Sequence, residues 1–402
     1  MKVVKKKNAV TAPIDFVAAG CNAGLKKGTS LDVALVYSKQ PTTSAAMFTK
    51  NNVKAWPVEL SMIHDKLASQ RAVIVNSGNA NCANGIDNRA KAVSYVKSCA
   101  ATLGIADREV FVCSTGVIGR ALDAEKIEMA IPELAEGLSR SGGHAAAEAI
   151  MTTDTRPKEA CVTIPVGNKK ITIGAMAKGA GMIRPDMATM LAFFTTDAAI
   201  ARPLLRSMLK DVVSRTFNHM SIDNDMSTND TVFMMANGAS GITIKKGTRE
   251  YQNFCMTLEA LMWHMVYDML SDGEGVTKVC TIIVAGAKSQ KQAVRAGKAI
   301  ADSMLFKTAL HGADPNWGRI LSAVGSCEDV QVSLANTLIA IGGHVVFEHG
   351  AALEGALKKA QRAMQKNDVV VHVDLGKGKG TATCVTTDLT KEYININAHY
   401  TT

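Results

Sequence analysis

Aromatic residues are scarce in this sequence: ten Phe, six Tyr and three Trp make up 5% of 402 positions. Single-stranded nucleic acids are held by stacking successive bases on such rings, so their scarcity argues against that partner. No stretch approaches eighteen uninterrupted apolar residues, which excludes the usual helical membrane span. The opening basic run, with Lys2, Lys5, Lys6 and Lys7, is not followed by the apolar core of a signal peptide. A cytoplasmic location is therefore expected, with no membrane partner. Cysteine pairs are missing too, because the nine cysteines are odd in number, widely scattered and contain no C-x-x-C. Zinc knuckles and disulfide frameworks are not built that way, and reduced core thiols are expected.

The common catalytic and cofactor motifs are also absent. There is no P-loop, and KGAGMIR at 178 to 184 lacks the third glycine of a dinucleotide fingerprint. GASG at 238 to 241 lacks the middle residue of the G-x-S-x-G elbow. Counting a calcium loop from Asp223 puts Thr228 where glycine is needed and Met234 where the bidentate glutamate is needed. His344 and His349 are five apart rather than four, in the wrong order for a zinc helix. Neither a metal nor an organic cofactor is called for.

What the chain does have is bulk, with 47% hydrophobic and 20% charged residues, enough for two or three domains. Its net charge of +9 is spread out, so no concentrated basic stripe marks a phosphate backbone, and a small-molecule partner becomes the default. Strand-like runs at Val73 to Val75 and Val110 to Val112 alternate with helical stretches near 89 to 103 and 123 to 138, an α/β layout. CVTIPV and KKITIGAM flank Gly167 and Asn168, a hairpin that requires antiparallel pairing. Helices are expected over 202 to 217 and 251 to 270, then a strand at Val279 to Ala285 and a helix near 287 to 304. Val369 to Leu375 then turns through GKGKG into Thr381 to Thr386. The region from roughly 280 to 390 reads as a smaller lobe.

Residues 178 to 198, KGAGMIRPDMATMLAFFTTDA, join a glycine-rich loop and Pro185 to a strand-like run beginning at Thr189. On composition alone this is a turn and a core strand. The stretch also resembles the signature of the ArgJ family, the ornithine acetyltransferases, whose precursors cut themselves before the threonine of A-T-M-L. Further blocks carry the resemblance along nearly the whole chain: NSGNANCANG at 76 to 85, STGVIG at 114 to 119, MTTDT at 151 to 155, SIDNDMSTNDT at 221 to 231, DGEGVTK at 272 to 278, ADPNWGRI at 313 to 320 and the terminal NINAHYTT.

The resemblance implies a mixed α/β (α+β) fold: a four-layer α/β/β/α sandwich of the self-cleaving DmpA/ArgJ type with a smaller C-terminal α/β lobe. It implies cleavage between Ala188 and Thr189, giving chains 1 to 188 and 189 to 402 that share one catalytic body and assemble as an α2β2 heterotetramer. It implies acetyl transfer from N-acetylornithine to glutamate by double displacement. Acetyl-CoA is a second donor in some members, and the sequence leaves both donors open.

The chemistry can be reasoned from the residues. A threonine hydroxyl is a weak nucleophile without a base, and no histidine neighbours Thr189 in the sequence. A cut would free an α-amine, with an ordinary pKa of about 7.7 to 8.0, on the same residue as the hydroxyl. The cut itself would begin with that hydroxyl attacking the Ala188 carbonyl, and flexible Gly179 and Gly181 suit the bend this needs. Donors for the oxyanion are sought in STGVIG, where the resemblance assigns Thr115 and Gly116. N-acetylornithine carries both a carboxylate and an ammonium, so its pocket needs both signs: Lys178 suits the carboxylate and Glu274 the ammonium. By resemblance Thr152, Asn397 and Thr402 also bind substrate, with Thr153 an alternative to Thr152. The ending NAHYTT places Thr401 where the family pattern has arginine, a departure that bears on substrate preference. NSGNANCANG should shape a loop near the site, and SIDNDMSTNDT should satisfy buried backbone groups around it. Two rival classes stand beside this reading: a self-cleaving amidase or aminopeptidase of the related fold, and a non-catalytic basic binding protein that remains one intact chain.

Overall fold

The computed structural model describes residues 2–184 and 190–399. Two-residue periodicity organises its centre. In the strand Ala72–Asn79, Val73 and Val75 face one way while Ala72 and Ile74 face the other. The strand Val110–Val117 runs parallel to it and continues both faces, Phe111 and Cys113 on the first, Val110 and Val112 on the second. With Phe16–Cys21 and Val33–Ser38 they form a mixed four-stranded sheet. The helices Asp87–Leu103 and Ala124–Glu136 close its outer face with Tyr95, Val96 and Cys99 from one and Ile127, Ile131 and Leu134 from the other, residues that recur at helical spacing.

The second sheet has six strands in the order Val4–Lys5, Lys158–Val166, Lys169–Lys178, Leu191–Thr196, Thr231–Ala236, Thr43–Phe48. Gly167 and Asn168 close an antiparallel hairpin in which Val166 pairs with Lys169, and Gly167 supplies the left-handed backbone (φ 56°) that the turn requires. Leu191–Thr196 is antiparallel to Lys169–Lys178 and parallel to Thr231–Ala236. Leu191 and Phe193 point toward the four-stranded sheet, whereas Ala192 and Phe194 point toward the helices Arg202–Arg215 and Arg249–Leu270. Helix, sheet, sheet, helix is thus the order of layers. Between the sheets Phe111 stacks on Phe48 at 5.8 Å and on Phe233 at 4.1 Å between ring centres. Such pairs add about 0.5–1.5 kcal/mol beyond burial.

Besides a two-stranded pairing of Ala199–Ile200 with Thr243–Ile244, a further sheet is seven-stranded and packs on its own apolar cluster, which runs from Cys280 to Cys384. Here the turn through GKGKG is not a hairpin. The strand Val279–Ala287 lies between the two runs that GKGKG joins, parallel to Asp368–Asp374 and antiparallel to Gly380–Thr387. Reaching over one strand spans about 9.6 Å, two strand spacings. The glycines make that crossing possible at close quarters: a Cβ on Gly376 would come within 2.7 Å of the Asn336 carbonyl oxygen, and one on Gly378 within 2.6 Å of the Ala287 carbonyl oxygen. In ADPNWGRI, Trp317 stacks on Phe347 at 4.8 Å and packs against this cluster. The tail that could have frayed forms a helix over Lys391–His399. No helix among the described residues is long and apolar enough to cross a membrane. All nine cysteines are free, eight of them buried, and burial pushes the thiols of Cys99, Cys280 and Cys384 up to about 12, which makes them inert.

Candidate active site

The sheet strands deliver their ends to one cleft of about 150 Å3, lined among others by Thr115, Gly116, Thr152, Lys178, Glu274 and Asn397. Those six positions are spread over most of the sequence. Thr115 and Gly116 sit at the end of Val110–Val117, where the pairing with Ala72–Asn79 becomes irregular at Asn79. Gly116 has φ 130°, and a Cβ there would lie 2.4 Å from the Gly78 carbonyl carbon, so only glycine fits.

Lys178 ends the buried strand Lys169–Lys178 and is itself 2% exposed. Its ammonium donates to the Thr152 hydroxyl at 2.6 Å and to the Thr115 hydroxyl at 3.3 Å, and lies 3.9 Å from Asp154. Burial lowers its proton affinity below that of an ordinary lysine, while the charges of Asp154, Glu274 and Asp230 act in the opposite sense. Thr152 and Thr153 both line the cleft, and it is Thr152 that receives the lysine.

Asp154 was not singled out from the sequence, yet it ties this wall together. Its carboxylate accepts the Thr152 N–H at 3.0 Å, the Gly179 N–H at 2.8 Å and the buried Lys158 ammonium. Lys158 is shared with Asp272 at 2.5 Å, and Asp272 also accepts the Thr155 N–H at 3.0 Å. Burial opposes the charge on Asp154, but Lys178, Lys158 and these hydrogen bonds outweigh it and hold the carboxyl well below its usual range. No local spacing rule marks it: in an Asx turn the carboxylate accepts the N–H two residues on, whereas Asp154 accepts one two residues back.

The facing wall is acidic. Glu274 donates its N–H to the Ala180 carbonyl at 2.9 Å, and its carboxylate accepts the Asn397 amide at 2.8 Å. Gly181 permits that approach, since a Cβ there would stand 2.4 Å from Oε2 of Glu274. This is a different need from the flexibility expected of Gly181. The terminal helix is latched by Tyr393, whose hydroxyl donates to Asp223 at 3.1 Å, and by Thr390, which donates to the Gly275 carbonyl at 2.8 Å.

SIDNDMSTNDT does more than satisfy backbone groups near the cleft, because Asp223, Asp225, Ser227, Thr228 and Asn229 line it. Asp223 accepts the consecutive N–H groups of Met182 and Ile183 at 2.6 and 2.8 Å, and Asp230 accepts that of Met190 at 2.8 Å. Carboxylates therefore pin the chain on both sides of residues 185 to 189. Asn229 donates to the carbonyls of Ala80 and Ser114 at 2.7 and 2.8 Å, joining NSGNANCANG to the strand that carries Thr115. The strand expected from Thr189 begins at Leu191, because the Met190 N–H is taken by a side chain instead of the ladder. Ala188, Thr189 and Thr402 lie outside the described residues. Among the described residues no three His, Cys, Asp or Glu side chains are grouped to hold a metal.

Comparison with known proteins bears on what this cleft does. Residues 17–402 match the model of the ArgJ family. The chain is 42% identical over 397 residues to the arginine biosynthesis bifunctional protein ArgJ of Caldanaerobacter subterraneus subsp. tengcongensis, covering 98% of each. It is also 42% identical over 405 residues to the glutamate N-acetyltransferase of Methanocaldococcus jannaschii, again 98% of each. The crystal structure of the arginine biosynthesis bifunctional protein argJ from Bacillus halodurans matches with a TM-score of 0.50 and 35% identity, covering 52% of this chain and 98% of that one.

Proposed function

Because the chain belongs to the ArgJ family, we propose that its cleft transfers an acetyl group from N-acetylornithine to glutamate through Thr189. The protein is an acyltransferase of arginine biosynthesis, a glutamate N-acetyltransferase. The observation that carries the assignment is the convergence of Lys178 and Glu274, opposite charges 96 positions apart in sequence, beside Thr115 and Gly116 in one cleft.

In this reading the precursor cuts itself between Ala188 and Thr189. The Thr189 hydroxyl attacks the Ala188 carbonyl, the peptide C–N bond breaks with the proton passing to nitrogen, and water opens the resulting ester. The α-amine so freed is the base for the same hydroxyl. Thr189 then attacks the acetyl carbonyl of N-acetylornithine, Thr115 and Gly116 stabilise the oxyanion, and the α-amino nitrogen of ornithine leaves with a proton. Glutamate, with its amine neutral, then attacks the acetyl carbonyl; its nitrogen gives up a proton through the α-amine to the departing Thr189 oxygen, which restores the hydroxyl and leaves the α-amine neutral again. Lys178 holds the substrate carboxylate, while Glu274, oriented by Asn397, holds the side-chain ammonium of ornithine. Thr152 positions Lys178, and Thr402 completes the ornithine side of the pocket.

The coverage of the Bacillus halodurans chain supports a cut of this kind, since 98% of that chain spans 52% of this one, close to the share that residues 189 to 402 take. The proposal extends to an α2β2 assembly working in the cytoplasm and to acetyl-CoA as a second donor, to be checked by mass in solution and by direct assay. The test of the site is a Thr189→Ala chain. It should run as one species on denaturing gels and transfer no acetyl group, whereas the unaltered protein should give two chains and transfer acetyl to glutamate far faster than to water. An intact, active Thr189→Ala protein would reject the assignment, and preferential transfer to water would favour an amidase.

A further inference from the structure

The positive charge that the sequence spreads along the chain is partly gathered by the fold. Arg295 and Lys298 come from the helix Gln290–Asp302, Arg319 from the helix Trp317–Gly325, and Arg184 from the segment after the strand Lys169–Lys178. They line two adjoining cavities of about 300 and 520 Å3, which share Ala299, Asp302 and Ser326 and so form one groove. Among the described residues that line it, Asp302 is the one acidic side chain. Burial raises the proton affinity of Asp302, while a hydrogen bond from Ser221 at 2.5 Å and the charges of Lys307, Arg184 and Lys298 oppose that rise. Arg295 has Asp329 at 3.7 Å, and Arg319 points one nitrogen at the Leu305 carbonyl at 2.7 Å and the Thr308 hydroxyl at 3.2 Å. A guanidinium carries about five N–H donors, so these contacts orient the two arginines and leave them donors for a ligand.

The cleft has the opposite balance. Its charged lining residues are Lys178 against Asp223, Asp225 and Glu274, and a phosphate placed among those carboxylates would be repelled. A thin wall separates cleft from groove. Met182 lines the first and Arg184 the second, at most about 7 Å apart along the chain. The other layer of the wall is the segment 221–223. Ser221 reaches Asp302 in the groove, Asp223 lines the cleft, and the N–H groups of Ile222 and Asp223 both donate to the Ile183 carbonyl, at 2.9 and 3.3 Å.

We propose that this groove is a phosphate-binding site, which holds the phosphate end of acetyl-CoA while the thioester end enters the cleft. The inference rests on the reading of acetyl-CoA as a second donor and gives that donor a site apart from those of the amino-acid substrates. Acetyl-CoA carries its phosphates at one end and its acetyl group at the other, joined by a long flexible arm. It therefore needs a cationic surface and an acyl pocket some distance apart. Arginines suit the first, because their forked N–H groups match phosphate oxygens. The chemistry stays in the cleft: the Thr189 oxygen bonds to the acetyl carbon, the C–S bond breaks, and the hydroxyl proton passes through the α-amine to the departing sulfur. N-acetylornithine has no phosphate and makes no use of the groove.

The test is the double variant Arg295→Gln with Lys298→Gln, which removes two charges from one helix face and keeps good helix formers there. In calorimetric titration the unaltered protein should bind CoA, inorganic pyrophosphate should compete for the same site, and the variant should bind CoA about 10- to 100-fold more weakly. With glutamate as acceptor, KM for acetyl-CoA should rise by the same factor in the variant, while kcat and KM with N-acetylornithine stay within about twofold and confirm that it is folded. In the unaltered protein KM for acetyl-CoA should also climb as salt is raised, because exposed charges are screened. Equal affinity of both proteins for CoA, a KM indifferent to salt, or a variant that also loses its N-acetylornithine activity would each overturn the proposal. Pyrophosphate that binds without displacing CoA would do so too, making the groove a site for free phosphates. Failure of the underlying reading looks different: if acetyl-CoA gives glutamate no acetyl group even in the unaltered protein, the second donor falls and this use of the groove with it. A working acetyl-CoA donor with the same KM in both proteins removes the groove alone.

Discussion

On one side of the cleft Lys178 closes a ten-residue strand whose last eight positions are buried, and behind it Asp154, Lys158 and Asp272 form a hydrogen-bonded set of buried charges. On the other side Glu274 comes from a loop, and Asn397 comes from a nine-residue helix with no buried residue. The basic wall is built into the sandwich, whereas part of the acidic wall is laid against it through a few polar latches. A desolvated cation has to be fixed before substrate arrives, since a buried charge without partners is very costly. Glu274 is buried as well, but its carboxylate is held by the Asn397 amide and its N–H by the Ala180 carbonyl, with no buried cation hydrogen-bonded to it among the described residues.

The sharpest way to break this contrast is to attack the charges behind Lys178. Asp154→Ala removes the carboxylate that Lys158 and Lys178 share and should cost about 3–5 kcal/mol of stability, read from denaturant unfolding. An equal loss from Asn397→Ala would show the two walls to be alike. Lys178→Met comes next. It should leave stability nearly unchanged and raise KM for N-acetylornithine by about 10- to 100-fold, the loss of a charged hydrogen bond worth about 1.5–3 kcal/mol. In the unaltered enzyme KM should also climb on the alkaline side, beginning below the ordinary lysine value of 10.5, because burial makes the Lys178 ammonium give up its proton sooner. That climb should vanish in Lys178→Met, so a KM profile identical in both proteins would remove the ammonium from binding. Asn397→Ala is the mildest change, losing one bond to Glu274, and should raise KM by about three- to tenfold with no change in unfolding.

The contrast also explains which parts of the molecule were legible in the sequence. Strands with alternating faces declared themselves: AVIV, VFVC and the hairpin at Gly167 and Asn168 needed only the two-residue period and a glycine able to adopt positive φ. That Lys178 and Glu274 line one cleft was anticipated once the ArgJ resemblance supplied a substrate carrying both charges. Asp154 and Asp223 were not, since their partners are backbone N–H groups and buried cations that no spacing rule brings together from distant segments. GKGKG was legible as a turn between two strands, but the pairing of those strands was not, for a related reason. Whether two strands joined by a short glycine loop pair with one another depends on what lies between them, and the inserted strand Val279–Ala287 precedes them by about eighty residues.

The most direct test is the intact mass of the purified protein after incubation with N-acetylornithine in the absence of glutamate. Two masses are expected, corresponding to residues 1 to 188 and 189 to 402, with one additional acetyl group on the second chain that maps to Thr189 and disappears when glutamate is added. A single uncut mass in fully active material, or an acetyl group trapped on any other residue, would contradict the account.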